Sequence, residues 1–216
     1  FGNIANLSTD GLPEPLFYLS GIVIWNYFSS CLTGTSNSLS GNAGLFGKVY
    51  FPRIIIPIAT LASGLVRFFI QFTIFLLLMV FYFLTESIEI FPHPFFILLF
   101  PLLILLMGVQ GLGYGLIFSA ITTKYRDLRY LIGYCVRLLM YASPIIFPLS
   151  LVPEKYKLFI LLNPITSVIE SFRYISLGTG QLRNIAIFYS IIITLIIFIF
   201  GLLIFNRVEK NFIDTA

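Results

Sequence analysis

Apolar residues in this chain do not alternate with polar ones; they run together in long blocks separated by short polar gaps. A bilayer core about 30 Å thick needs about 20 apolar residues wound as a helix. Five blocks meet that length: Leu16–Thr35, Ile54–Leu84, Phe95–Ile121, Tyr130–Leu149 and Asn184–Phe205. The second and third exceed it, so they either tilt or begin with a stretch lying at the interface. Between the fourth and fifth, Val152–Leu177 is apolar only in pieces, interrupted by Pro153, Pro164, Glu170 and Arg173. It is too broken to span and too apolar for a free loop, which predicts a re-entrant helical hairpin. The expected fold is an all-α integral membrane protein with five transmembrane helices plus that hairpin.

Composition removes the soluble alternative. Of the 216 residues, 58% are hydrophobic and 10% charged, whereas a soluble domain carries about 25% charged residues. The net charge of +4 does not point to nucleic acid, because the cations sit in the gaps between apolar blocks rather than on one face. One set of gaps holds Lys48, Arg53, Lys124, Arg126, Arg129, Arg207 and Lys210. The opposite set holds Lys155, Lys157, Arg173 and Arg183 together with Asp10, Glu14, Glu86, Glu89, Glu154 and Glu170. The first set is the more basic and is predicted to be cytoplasmic, which puts the C-terminus inside and Phe1 outside. An external start with five spans predicts an upstream helix, hence a six-span protein of which this chain is a piece.

Most site chemistry is missing. Cys31 and Cys135 both fall in apolar blocks and are expected to be buried, inert thiols. The single histidine, His93, stands between Pro92 and Pro94, so neither a metal site nor a Ser/His/Asp set can be assembled around it. Gly44-Leu-Phe-Gly47-Lys48-Val49 has the wrong spacing and the wrong last residue for a phosphate-binding loop. Glu86 and Glu89 read as a solvated outer loop. The sequence describes a transporter body without its own motor.

Two cations lie inside apolar blocks, Arg67 and Arg137. A charge at bilayer depth costs about 2.5–3.5 kcal/mol on insertion scales and generally faces a cavity or pathway. Arg137 lies two turns beyond Arg129 and can snorkel. Arg67 is about 21 Å of helix past Arg53, with no acid between Glu14 and Glu86 to pair with it. It either meets an anionic substrate group or satisfies carbonyls or an acid further upstream. Aromatics (24 Phe and 12 Tyr) suit interface anchoring, lipid contact or stacking on sugar rings. Gly108, Gly111, Gly113 and Gly115 form a small-residue run, read first as a helix-packing face. The polar, glycine-rich segment Ser36–Arg53 ends in Lys48-Val-Tyr-Phe-Pro-Arg53, an amphipathic element suited to docking on another protein or on headgroups.

The stretch Gly21-Ile-Val-Ile-Trp25-Asn26-Tyr27-Phe28-Ser29-Ser30 resembles the end of a span in permease subunits of polysaccharide ABC exporters: O-antigen, capsule and teichoic-acid transporters. The resemblance continues through Ser36-Asn37-Ser38, Gly41-Asn42-Ala43, Lys48–Arg53, Tyr125-Arg126-Asp127-Leu128, Tyr141-Ala-Ser-Pro144-Ile-Ile-Phe-Pro148 and Leu162-Asn163-Pro164, in order over essentially the whole chain. It departs at Ile24, where many such proteins carry proline, and at Arg67 and Arg137, where less basic residues are expected.

This resemblance implies a single transmembrane permease domain over residues 1–216, preceded by an interfacial helix and a first span whose outer end would be Phe1-Gly2-Asn3-Ile4. It implies an ATPase-coupling helix containing Gly47, Lys48, Val49, Tyr50, Phe51, Pro52 and Arg53, with Tyr125, Arg126 and Asp127 as a second turn at that interface. It implies a channel for which Phe28, Tyr134 and Tyr141, with Arg67 and Arg137, are the candidates. It implies an outer gate involving Pro153, Asn163, Pro164, Glu170 and Arg173. The expected partners are a second copy, two ATP-binding-cassette subunits carrying ATP and Mg, an undecaprenyl-linked glycan and membrane lipid. No cofactor, metal or nucleic acid is expected on this chain. The rivals are a drug or small-lipid exporter of the same fold and, more remotely, a membrane-embedded glycan ligase or polymerase.

Overall fold

A computed structural model describes residues 9–42, 44, 52–85, 94, 96–125, 127–180 and 183–212. Every regular element among them is helical. In chain order these are α1 (Glu14–Ser36), α2 (Ser38–Gly41), α3 (Ile55–Thr85), α4 (Phe96–Lys124), α5 (Leu128–Tyr141), a 3₁₀ turn (Leu149–Leu151), α6 (Glu154–Leu162), α7 (Pro164–Leu177) and α8 (Asn184–Phe212). Four of the five predicted spans are single helices long and apolar enough to cross a bilayer: α1, α3, α4 and α8. The segment expected to form a re-entrant hairpin is a pair of helices, α6 and α7, which meet at a bend of 102°.

The fourth predicted span takes a different form. Its helix is 14 residues long, about 21 Å by helical rise, and is too short for the bilayer core. The chain then runs on without regular structure to the 3₁₀ turn. Pro144 and Pro148 explain the break, because each lacks a backbone N–H and disfavours helix at the residue before it. The segment nonetheless runs from one end of the bundle to the other. Leu128 is hydrogen-bonded to Tyr125 just past α4, while at the far end the Ser150 hydroxyl donates to Asp10, ahead of α1, at 2.7 Å. Ser143, Pro144, Ile145, Pro148 and Leu149 are buried. Irregular backbone at membrane depth is tolerated where protein covers it in this way.

Helix α1 is the axis of the bundle, packing against α3, α4, α5 and α7. The glycine run on α4 is what brings α4 so near. A Cβ at Gly111 would lie 2.7 Å from Cys31 Cβ and 2.9 Å from the Phe28 carbonyl oxygen. On the other side of α4, a Cβ on Gly201 of α8 would fall 2.6 Å from the Gly113 carbonyl. The small-residue stripe is thus a packing face, as membrane helices use it. Polar side chains pin the same helices together. Gln110 Nε2 donates to Ser190 Oγ at 3.1 Å and Thr194 Oγ1 at 2.8 Å, and Ser190 donates to the Pro164 carbonyl at 2.8 Å. Phe68, Phe72, Phe75, Phe100 and Phe172 form an aromatic cluster that joins α3, α4 and α7, with Phe72 and Phe100 centroids 4.6 Å apart.

Cys31 is buried in this core as expected, but Cys135 is exposed on α5. That helix buries only Ile132 and Val136, so its remaining faces, Cys135 among them, stay open.

Candidate functional site: an exposed polar face and a braced hairpin

Helix α7 starts and stops where its sequence dictates. Asn163 Oδ1 accepts from the Ile165 N–H at 3.2 Å and Pro164 occupies the first turn. Gly178 ends the helix with φ 72°, a left-handed conformation that glycine adopts at low cost. Between these caps nearly every residue is buried, whereas α6 buries none. The hairpin therefore has one arm built into the bundle and one lying on its surface.

Arg173 explains how the buried arm is held. Its guanidinium is 1% exposed. Nη1 donates to the Pro144 carbonyl at 2.6 Å, Nη2 to the Ile145 carbonyl at 2.8 Å, and Nε to Ser20 Oγ at 3.2 Å. Glu170, one turn earlier, lies 3.5 Å from Nη1, and the Phe17 ring centroid is 3.9 Å from Cζ. One planar fork thus satisfies the carbonyls freed by the break after α5 and ties α7 to α1. Gly21 lies beside it, where a Cβ would sit 2.9 Å from Nη2. Asn163 Nδ2 adds a second tie, donating to Ser143 Oγ at 3.0 Å. Of the residues expected at an outer gate, Asn163, Pro164, Glu170 and Arg173 converge here. Pro153 stands apart, exposed at the start of α6.

The residues expected to line a channel divide. Phe28 has no exposed surface; it packs between Trp25 (5.3 Å) and Tyr114 (6.1 Å) in the protomer core. It cannot line a path in this conformation, because its position on α1 turns it toward α4. Tyr134 and Tyr141 are exposed on α5. Arg137 is exposed on the same helix, its guanidinium 6.0 Å from the Tyr134 ring. Arg67 is exposed on α3 and lines a pocket of about 300 Å³ between α3 and α1. Across it, α1 presents Asn26, Ser29, Ser30 and Thr33, and Asn26 Nδ2 donates to Gln71 Oε1 of α3 at 3.2 Å. This polar face is legible in the sequence as polar residues at helical spacing within apolar blocks, on α1 and at Ser63, Arg67 and Gln71 of α3. Arg67 alone does not reveal it. The partners of Arg173 carry no such signal, since two are backbone carbonyls.

The coupling residues lie partly beyond description. Gly47, Lys48, Val49, Tyr50, Phe51 and Arg126 are outside the described residues. Pro52 is exposed and Arg53 buried at the entry to α3, while Tyr125 and Asp127 are exposed between α4 and α5. Both pieces lie at one end of the bundle. There Leu39, Leu116 and Phe205 form a small core with Ile54 against it, and Thr122 Oγ1 donates to the Ser36 carbonyl at 3.2 Å.

Long apolar helices, a groove between two of them lined with polar groups, and a sharply bent helical pair together define an integral membrane protein. Comparison with known proteins then gives the family: the ABC-2 type transporter family matches residues 1–177, and the chain belongs to it. Among similar proteins is the O-antigen export system permease protein RfbA of Klebsiella pneumoniae, 28% identical over 202 residues, covering 92% of this chain and 74% of that protein. The protein of the same name from Myxococcus xanthus is 26% identical over 163 residues, covering 74% and 60%. The polysialic acid transport protein KpsM of Escherichia coli is 27% identical over 212 residues, covering 97% and 79%.

Proposed function

We propose that this chain is the transmembrane subunit of an exporter carrying a lipid-linked polysaccharide of the O-antigen, capsule or teichoic-acid type across the bacterial inner membrane. The observation that carries the reading is the similarity, over almost the whole chain, to permeases named for O-antigen export and polysialic acid transport. The exposed polar and aromatic faces support it. Asn26, Arg67, Tyr134, Arg137 and Tyr141 are exposed on α1, α3 and α5, and within a bilayer contact with lipid tails alone would be costly for them.

Two copies of the chain and two ATP-binding-cassette subunits form the working assembly, and ATP and Mg belong to those partners. The end of the bundle bearing Ser36, Arg53 and Tyr125 faces the cytoplasm, because the basic residues concentrate there. The C-terminus lies on the same side. The segment Gly47–Arg53 and the turn Tyr125–Asp127 receive the motion of the ATPase. At the opposite end the hairpin guards the exit. α7, fixed through Arg173, is the frame, and α6, with no buried residue, is the part that can shift without unpacking a core.

Depleting the full-length permease in its host tests the reading. Finished lipid-linked polymer should accumulate on the cytoplasmic face while the surface glycan disappears. A normal surface glycan and a normal lipid-linked pool would overturn it and favour export of a drug or small lipid by the same fold.

A further inference from the structure

We infer that the groove between α1 and α3 is a binding site for an oxyanion carried by the translocated glycolipid, a phosphate or carboxylate group, with Arg67 as its cation. This rests on the export reading above and goes beyond it by naming what one surface of the path recognises. Arg67 is exposed on its helix, and among the described residues it has no hydrogen-bond or ion-pair partner. It stands 12 residues into α3, about 18 Å along the helix axis, and 18 residues remain beyond it, so neither end of the helix is close enough for easy snorkelling. No acid occurs anywhere from residue 15 to 85, so neither α1 nor α3 can supply a counter-charge below Glu14. A cation so placed needs water, carbonyl oxygens or an anion, since lipid tails offer it nothing.

The neighbours make it a site rather than an isolated charge. Because Gln71 Oε1 accepts from Asn26, the Gln71 Nε2 group is left as a donor and Asn26 Oδ1 as an acceptor. Thr33 donates its hydroxyl proton to the Ser29 carbonyl at 2.7 Å, so its oxygen remains an acceptor. Ser29 and Ser30 complete the wall on α1. One guanidinium fork and an amide donor suit an oxyanion, and the surrounding acceptor oxygens suit the hydroxyls of an attached sugar. The groove continues along α3 and α1 into a second pocket of about 470 Å³ that also has Arg67 in its wall. The cation thus sits where two stretches of one path meet.

The test uses the full-length permease with its ATPase subunits in nanodiscs, as wild type, Arg67→Lys, Arg67→Gln and Arg67→Glu. The probe is lipid-linked glycan extracted from cells depleted of the permease, measured in phosphatidylcholine discs and again with phosphatidylglycerol added. Glycan binding should be at least about tenfold weaker for Arg67→Gln, weaker still for Arg67→Glu, and within about threefold of wild type for Arg67→Lys. Thermal midpoint and co-purification with the ATPase should not move. Equal binding by wild type and Arg67→Gln overturns the inference alone, leaving the export reading standing. So does a fall in stability with binding intact, which would mark a structural ion pair elsewhere in the full protein. An Arg67 effect seen only with phosphatidylglycerol overturns it too, assigning the groove to membrane headgroups. No glycan binding by wild type overturns it together with the export reading.

Discussion

Replacing Arg173 with methionine should unfasten the hairpin from the bundle. The substitution keeps the length and apolar character of the stem but removes the fork. It leaves the Pro144 and Ile145 carbonyls without the donors that reach them at 2.6 and 2.8 Å, and removes the cation facing the Glu170 carboxylate at 3.5 Å. Each buried carbonyl left unsatisfied costs about 1–3 kcal/mol, and removing one partner of a buried ion pair costs about 3–5 kcal/mol in total. The native thiols supply the assay. Cys31 is buried between α1, α3 and α4, while Cys135 is exposed. In a full-length permease with Cys31 as its sole thiol, maleimide labelling in micelles reports the fraction of molecules opened. A destabilisation of about 3 kcal/mol corresponds to roughly a hundredfold faster labelling, at about 1.4 kcal/mol per factor of ten. Adding Glu170→Met should recover the part of the loss due to the carboxylate charge that Arg173 offsets, but not the part due to the carbonyls. A labelling rate within fivefold of wild type for Arg173→Met would refute the bracing role.

The packing sets the response to substitution at other positions. Gly111→Val should lower the thermal midpoint strongly or prevent folding, since even a Cβ comes within 2.7 Å of Cys31. Gly133→Ala, which meets nothing within 4 Å, should be neutral or stabilising by up to about 1 kcal/mol through helix propensity. Asn163→Ala should cost about 1–2 kcal/mol by removing the cap of α7, measured by the same labelling assay. Phe28→Ala should destabilise by about 3–5 kcal/mol as a core truncation, whereas Tyr134→Ala and Tyr141→Ala, on an exposed face, should stay within about 0.5 kcal/mol of wild type and show their effect in glycan export instead.

What could be read from the sequence, and what could not, follows from the range of each interaction. Spans and hairpin are set by runs of apolar residues and by prolines, local properties that α1, α3, α4, α8 and the α6–α7 pair display directly. The helix ends at Asn163-Pro164 and Gly178 are legible for the same reason. Apolar content alone makes Tyr130–Leu149 one span, because it does not weigh Pro144 and Pro148 against the donors to carbonyls that make a break tolerable. Those donors come from Arg173, 28 residues beyond Ile145 in sequence, and its placement is a product of tertiary packing. Phe28 shows the same limit from the other side. An aromatic residue in a resembled motif reads as channel lining, yet the close approach of α4 at Gly111 turns that side of α1 into core.

Export by this permease can be followed in a reconstituted system. The full-length permease, its ATPase subunits and extracted lipid-linked glycan would be placed together in proteoliposomes, and the glycan exposed on the face opposite the ATPases measured over time. Glycan should appear on that face in an ATP-dependent manner, and not when the ATPase subunits are omitted. ATP hydrolysis without any movement of glycan, in vesicles that do move a dye or a simple phospholipid, would rule out polysaccharide export as the role of this chain.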